Sequence, residues 1–152
     1  MINLLERLNK DSKYLSLIDN LKSKNNCSCF GLSFNEISFI VKMIEGQKIL
    51  VVNSASEAYK YEQQLNSLNL QTFVLLNKLE NFNYSYFNAD DNLSNLILGL
   101  YKLKSGEIDV LIILNTVLMQ KFISPIMFEQ NIIKLKVNGT YNFKLLINLL
   151  VK

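Results

Sequence analysis

The chain has 152 residues, 49% hydrophobic and 19% charged, a composition typical of a packed globular protein of one domain or one domain plus part of a second. It contains no histidine, which excludes His-based acid–base catalysis, Ser-His-Asp and Cys-His arrangements and most transition-metal sites. The net charge is only +3 and Arg7 is the single arginine, so a dedicated nucleic-acid-binding surface is not expected.

Residues 1–26 predict two short helices. Leu4, Leu5 and Leu8 recur at helical spacing, a second set does so around Tyr14 and Ile18, and Asp11 or Ser12 is a suitable cap between them. Acidic residues interrupt the apolar ones, so no signal peptide is expected. The longest apolar runs are far shorter than the roughly 20 residues that cross a bilayer, and we expect a cytoplasmic protein.

Residues 27–30 predict a short strand that ends at Gly31. Cys27 and Cys29 would lie on one face of it, too close in sequence for a relaxed disulfide and too few for a zinc site. We therefore expect two small buried side chains in a reducing compartment.

Two capping boxes predict the next two helices. Ser33 and Glu36 form the first, before an apolar helical face that Gly46 ends. Ser54 and Glu57 form the second, before a helix that buries the apolar residues Ala58, Tyr61, Leu65 and Leu68. Residues 48–52 are apolar on both faces, which is typical of a buried parallel strand, and residues 72–76 predict the next strand.

The remaining segments continue this alternation. An irregular aromatic stretch, residues 81–87, precedes a helix that starts near Asp90 and Asp91, carries a stripe of Leu93, Leu96, Ile97, Leu100 and Leu103, and ends at Gly106. Residues 109–114 predict a fourth buried strand, followed by a short helical piece at 116–119 and a break at Pro125. Residues 132–137 alternate apolar residues with lysine, as in a half-exposed strand, and Gly139 turns the chain into a last helix at 142–151.

This order predicts an α/β fold with a doubly wound parallel sheet, plus the start of a second small α+β domain. We expect amino-terminal helices at 1–26, the α/β domain at 27–130 and an incomplete second domain at 131–152. The last helix has no stop signal, so we expect the chain to be a piece of a longer protein.

The first strand–turn–helix is where such a sheet would bind phosphate, in a loop of the form G-x-x-x-x-G-K-[ST]. Over residues 31–38, Gly31 matches the first glycine and Ser38 the last hydroxyl, with Ser33 and Asn35 between them. Glu36 replaces the second glycine and Ile37 replaces the lysine, so a carboxylate takes the anion position and no cation is supplied. We expect no nucleotide binding, no catalytic residue, no metal and no cofactor here. The alternative interpretation of this loop is a plain capped helix.

The order and spacing of the segments resemble the amino-terminal, UvrB-like module of the transcription-repair coupling factors (Mfd). The resemblance covers nearly everything from residue 27 onward and is most specific over residues 91–125 and the carboxyl-terminal segment. The matching stretches are the degenerate loop and its helix, KILVVNSASEAYKYEQQL, TFVLLNKLENFNY, DDNLSNLILGLYKLKSGEIDVLIILNTVLMQKFISP and IIKLKVNGTYNFKLLINLL.

The resemblance implies a helicase-type fold without ATPase activity, acting in transcription-coupled nucleotide-excision repair. ATP, magnesium and DNA translocation would belong to a downstream motor of the parent protein. UvrA and RNA polymerase would bind other domains, while this module contacts downstream domains and helps to mask the UvrA-binding surface; no membrane is involved. UvrB itself has an intact phosphate loop and an aromatic hairpin after the third strand, and Glu36, Ile37 and the short 81–87 stretch depart from it at both places.

Two other functions remain as alternatives: a helicase-like domain that retains ATP binding, and a free-standing α/β adaptor unrelated to repair. The aromatic residues of the 81–87 stretch, Phe82, Tyr84, Tyr86 and Phe87, could stack on bases. No basic residue is interleaved among them, which favours packing against the sheet edge or a neighbouring domain. Glu107 and Asp109 flank a strand start, and we assign them no catalytic role.

Overall fold

The computed structural model describes residues 11–23, 25–76, 89–133 and 135–150. The chain divides into two compact units, with the boundary between Gln120 and Lys121. The first unit contains, in chain order, α1 (Ser12–Lys22), α2 (Phe34–Met43), β1 (Lys48–Val52), α3 (Ala55–Ser67), β2 (Thr72–Leu75), α4 (Ala89–Ser105), β3 (Val110–Leu114) and α5 (Asn115–Leu118). The second unit contains α6 (Pro125–Gln130) and α7 (Phe143–Leu150). The helix predicted around Leu4 and Leu8 and the aromatic 81–87 stretch lie outside the described residues.

The three strands form one parallel sheet in the order β1-β3-β2. β3 is central, and its Ile112 is in register with Leu50 of β1 on one side and Val74 of β2 on the other. Val110 and Ile112 are fully buried, because β3 has a neighbouring strand on each side and these two side chains join the core cluster formed with α2 and α3. The predicted α/β class with a parallel sheet flanked by helices is confirmed.

Helices α2 and α3 pack on one face of the sheet. Tyr61 and Leu65 of α3 and Val41 of α2 join Val52 and Ile112 in a single buried cluster. The rings of Phe34 and Tyr61 lie 4.4 Å apart between centroids, so α2 and α3 also pack against each other. Helical and strand periodicity place all these side chains on the same side of the sheet.

Helix α4 packs on the opposite face, against β2. A Cβ on Gly99 would lie 2.8 Å from Cε1 of Phe73, so glycine permits this close approach. Leu96 is buried, whereas Leu93 and Ile97 of the predicted stripe are exposed.

The prediction that the 48–52 strand is buried on both faces is wrong. Ile49 and Val51 are 54% and 45% exposed, because β1 is an edge strand and α4 packs over the β2 side of this face.

Helix α1 packs on α2 through a second buried cluster of Tyr14, Ile18 and Ile40. It begins at a cap that the sequence predicts: Oδ1 of Asp11 accepts a 2.9 Å hydrogen bond from the backbone N–H of Lys13. The hydroxyl of Tyr14 is buried and has no hydrogen-bond partner among the described residues. Burial, and then the charge of Glu36, raises the pKa of Tyr14, so its hydroxyl is neutral at neutral pH.

The side chain of Gln47, directly before β1, forms hydrogen bonds that connect the start of β1 with the end of α4 and the start of β3. Its Nε2 donates to the carbonyl oxygens of Leu103, at 2.6 Å, and Ile108, at 3.0 Å. The first carbonyl belongs to the last turn of α4, and the second precedes β3. Gly46, which the sequence predicts as a helix stop, has a φ of +77° just before this side chain, a conformation that favours glycine.

The strand predicted at residues 27–30 is wrong. The structure gives these residues neither helix nor strand, and all four are exposed, including both cysteines. Phe30 is 93% exposed. A short apolar segment becomes a strand only where a sheet edge pairs with it, and among the described strands β3 is already paired on both sides and β1 and β2 pair with β3 alone. The expected burial of Cys27 and Cys29 is wrong for the same reason.

The second unit also lacks a predicted strand. Residues 132, 133 and 135–137, the described part of the expected 132–137 strand, have no strand structure. They lead into a turn in which the N–H of Gly139 donates to the carbonyl of Lys136 at 3.0 Å and Asn138 has a φ of +64°. The hydroxyl of Tyr141 accepts a hydrogen bond from the N–H of Lys136. These local hydrogen bonds occupy the N–H and carbonyl groups of Lys136, which would otherwise be available to pair with a neighbouring strand.

Helix α7 follows, close to its predicted position. Oδ1 of Asn142 accepts hydrogen bonds from the N–H groups of Lys144, at 3.0 Å, and Leu145, at 3.2 Å. Pro125, predicted as a break in the chain, starts α6 at a position where its missing N–H costs nothing. Across the described residues, no helix combines the length and apolar content needed to span a bilayer.

Candidate functional site

The candidate site from the sequence, residues 31–38, is a tight turn followed by the first turn of α2. The N–H of Ser33 donates to Oε2 of Glu36 at 2.6 Å, and the N–H of Glu36 donates to Oγ of Ser33 at 3.3 Å. This is a complete capping box. Both halves of the predicted box are therefore present.

The carboxylate of Glu36 lies where a bound anion would lie. Hydrogen bonding to the side chain of Ser33, and then to its backbone N–H, lowers the pKa of Glu36, so the group is ionised at neutral pH. A negative charge at the start of a helix complements the helix dipole. A phosphate would have to displace this carboxylate and would then lie beside its charge.

Ile37 and Ser38 point away from the helix start. Ile37 packs against the core cluster of α2, α3 and the sheet. Ser38 is fully buried, and its hydroxyl donates to the carbonyl oxygen of Phe34 at 3.0 Å. The position that would carry the phosphate-binding lysine thus packs against the core, and the hydroxyl that would hold magnesium is buried and bonded to the backbone.

The two other residues of the loop are structural as well. Oδ1 of Asn35 accepts a 3.0 Å hydrogen bond from Nε2 of Gln64, which links the start of α2 to α3. Gly31 has a φ of +77°, with nothing within 4 Å of an added Cβ. Its conformation allows the turn into Ser33, and no close backbone approach requires glycine here.

The loop also differs from a phosphate loop in its position. No strand of the described sheet precedes α2, so residues 31–38 do not follow the carboxyl end of a strand. In an open α/β sheet, ligands bind beyond the carboxyl ends of the strands. The expectation that residues 31–38 form the first strand–turn–helix is wrong, because the preceding residues form no strand.

The carboxyl edge of the observed sheet carries a different group of polar residues, Asn53, Ser54, Glu57 and Asn115. Nδ2 of Asn115, after β3, donates to Oδ1 of Asn53, after β1, at 3.0 Å. The sequence reasoning did not single out either asparagine. The sequence pattern that could have identified them is an asparagine directly after each of two apolar strands, in VVN and IILN.

The start of α3 at this edge is capped by its own side chains. The N–H of Glu57 donates to Oγ of Ser54 at 3.2 Å, and the N–H of Asn53 donates to Oε2 of Glu57 at 3.0 Å. The serine half matches the predicted capping box, whereas the carboxylate binds the N–H one residue before the cap. A glutamate therefore occupies the start of α3 as well as that of α2.

Asp109, to which we assigned no catalytic role, has a structural one. Its Oδ2 accepts a 2.8 Å hydrogen bond from the N–H of Gln71, just before β2. Its charge also favours the protonated form of Lys48, although burial lowers the pKa of that lysine overall. Asp109 thus helps to align the starts of the three strands.

A shallow cleft of about 340 Å³ runs along the outer edge of β2. Among the described residues that line it, Glu62 is the one carboxylate, and the others are aromatic, aliphatic or neutral polar: Tyr59, Thr72, Phe73, Val74, Leu75, Leu76 and Asn95. Within the described ranges, no group of three or more His, Cys, Asp or Glu side chains is placed to hold a metal ion. The chemistry of this cleft does not point to a reaction.

The described side chains near the sheet thus serve mainly to cap helices and to connect strands. Comparison with known proteins adds no family to this description: no protein-family model matches the chain, and no curated protein matches it.

Proposed function

We propose that this chain is a non-catalytic α/β interaction module of the kind found at the amino terminus of transcription-repair coupling factors. One observation carries the non-catalytic part: a glutamate carboxylate accepts a backbone hydrogen bond at each of the two helix starts that could bind phosphate, Glu36 from Ser33 at α2 and Glu57 from Asn53 at α3. The fold would then be a helicase-type domain that has lost its nucleotide site.

Core packing supports the same proposal. Lysine at position 37 would have to leave the cluster against which Ile37 packs, and the hydroxyl of Ser38, which would have to reach magnesium, is fully buried. Burying a charge without a partner is costly, so nucleotide binding would require the fold to change locally. At the carboxyl edge of the sheet, Glu57 closes the start of α3 in a similar way.

The repair role rests on the segment order, which resembles that of the coupling factors. In the parent protein, we propose, the module contacts downstream domains and keeps the UvrA-binding surface covered until the motor engages a stalled RNA polymerase. ATP and DNA would be handled by the motor, and UvrA and RNA polymerase by other domains.

A nucleotide titration tests the non-catalytic proposal. Titration of the chain with a fluorescent ATP analogue and magnesium is expected to give no saturable signal. A Glu36→Gly/Ile37→Lys variant, checked for folding by circular dichroism, is expected to bind no better, because position 37 packs in the core. Saturable binding by the unmodified chain with micromolar Kd would instead support a helicase-like domain that retains ATP.

The repair role requires a separate test. Reading the gene beyond Lys152 is expected to reveal motor motifs, and in the parent protein deletion of residues 27–130 is expected to increase UvrA binding. A gene with no motor, or a parent in which the deletion leaves UvrA binding unchanged, would favour a free-standing adaptor.

A further inference from the structure

The thiols of Cys27 and Cys29 are both exposed in the segment between α1 and α2. Residues 25–30 form neither helix nor strand and are all exposed, so neither cysteine packs in the core. Free cysteines in proteins are usually buried as small apolar side chains, whereas these two are exposed. Two accessible thiols remain that the proposed function does not use.

Their spacing suits a chelate. One residue, Ser28, separates the two cysteines, and its side chain is exposed rather than anchored in the core. Sγ of Cys27 lies 3.4 Å from the carbonyl oxygen of Asn25, its hydrogen-bond acceptor. A single intervening residue keeps the two thiols within chelating reach of one ion, and neither cysteine is held by core packing.

The ligand set decides which ion fits. The chain has no histidine, and the described residues contain no group of three or more His, Cys, Asp or Glu side chains placed to hold a metal ion. Structural zinc takes four ligands, whereas soft thiolates select Cu(I), which accepts two sulfur ligands in a linear arrangement. We propose that Cys27 and Cys29 together bind one Cu(I) ion as a two-coordinate bis-thiolate site.

Binding needs no oxidant or reductant. Each thiol gives up its proton to solvent and forms a copper–sulfur bond, so two protons are released per ion and copper stays in the +1 state. The site is separate from the start of α2, where Ser33 and Glu36 bond to each other. Failure of the copper site would therefore leave the proposed function untouched.

The test is an anaerobic Cu(I) titration of the full chain against the coloured chelator bicinchoninate, with Zn(II) as the comparison ion. We expect one copper per chain, no comparably tight zinc, and two sulfur scatterers in X-ray absorption. Cys27→Ser and Cys29→Ser should each lose the copper to the chelator. Ser28→Ala is the matched control and should retain it, and because all three positions are exposed, circular dichroism should show unchanged folding.

Several results would overturn the site. Copper held equally by either single serine variant would show that the pair does not act together. One copper per two chains, with a dimer seen by light scattering, would show a bridge between copies. Complete transfer of copper to an equal concentration of glutathione thiols would show ordinary thiol binding without chelation.

Discussion

Asn115 donates a 3.0 Å hydrogen bond from Nδ2 to Oδ1 of Asn53, across 62 residues of sequence. The bond joins the carboxyl ends of β1 and β3, the edge at which α/β sheets commonly bind ligands. Here these side chains connect two adjacent strands, and the polar character of this edge contributes to stability.

Asn115→Ala is expected to lower the free energy of unfolding by about 1 kcal/mol, the net value of one hydrogen bond. Asn53→Ala should have a similar effect, and the double variant should cost less than the sum of the two because the same bond is lost. Urea denaturation of all four proteins measures the coupling. Strict additivity would mean that the bond contributes nothing in solution.

Glu36→Gln is expected to destabilise the fold at neutral pH and to have little effect in acid. The pKa of Glu36 is lower in the folded state, so the carboxylate stabilises the fold above its unfolded-state pKa. This contribution disappears as the pH falls through the lower folded-state pKa. Urea midpoints of the parent and variant at several pH values should converge in acid, whereas a constant difference at every pH would contradict this role of the carboxylate.

Ser38→Ala is expected to change stability by less than about 1 kcal/mol, because alanine's higher helix propensity offsets the lost hydroxyl bond. The carbonyl of Phe34 that the hydroxyl contacts can still accept the ordinary helical bond. Thermal unfolding measures this difference. A loss of several kcal/mol would show that the hydroxyl has a role beyond the helix.

Ile112→Val is expected to cost about 0.5–1.5 kcal/mol, because the residue is fully buried in the central strand and the lost methylene leaves a cavity. Ile49→Val is the matched control on the neighbouring edge strand, where the side chain is 54% exposed. It should cost clearly less in the same urea experiment. Equal losses would mean that β1 is covered in solution.

Tyr14→Phe is expected to raise stability by about 1 kcal/mol, because the buried hydroxyl has no partner among the described residues and its desolvation is uncompensated. The apolar ring would remain packed against Ile18 and Ile40. Chemical denaturation tests this gain. A loss of stability would show that the hydroxyl is bonded in solution.

Much of the fold follows from local patterns that are readable in the sequence. Ser33 and Glu36 predict the start of α2, Ser54 predicts the start of α3, and the apolar runs predict β1, β2 and β3. These signals are local because a cap or a strand period depends on neighbouring residues.

The errors concern properties set by distant contacts. Residues 27–30 have the apolar character of a strand but no partner in the described sheet, and Ile49 has the character of a buried residue but lies on an edge. The bond between Asn53 and Asn115 depends on strand order, which no local pattern contains. The candidate site shows the same division: the Ser33–Glu36 cap was predictable, whereas the packing of Ile37 against the core and the burial of Ser38 depend on how α2 docks.

Gln47 has a consequence for how the sheet opens. Since its amide bonds to the carbonyls of both Leu103 and Ile108, the beginning of β1 cannot separate from β3 without also releasing the end of α4. An edge strand is ordinarily the first to fray, with rapid amide exchange at its ends. We therefore expect the amide of Lys48, which donates to the carbonyl of Asp109, to exchange with deuterium about as slowly as those of the central strand, and Gln47→Ala to make it exchange faster.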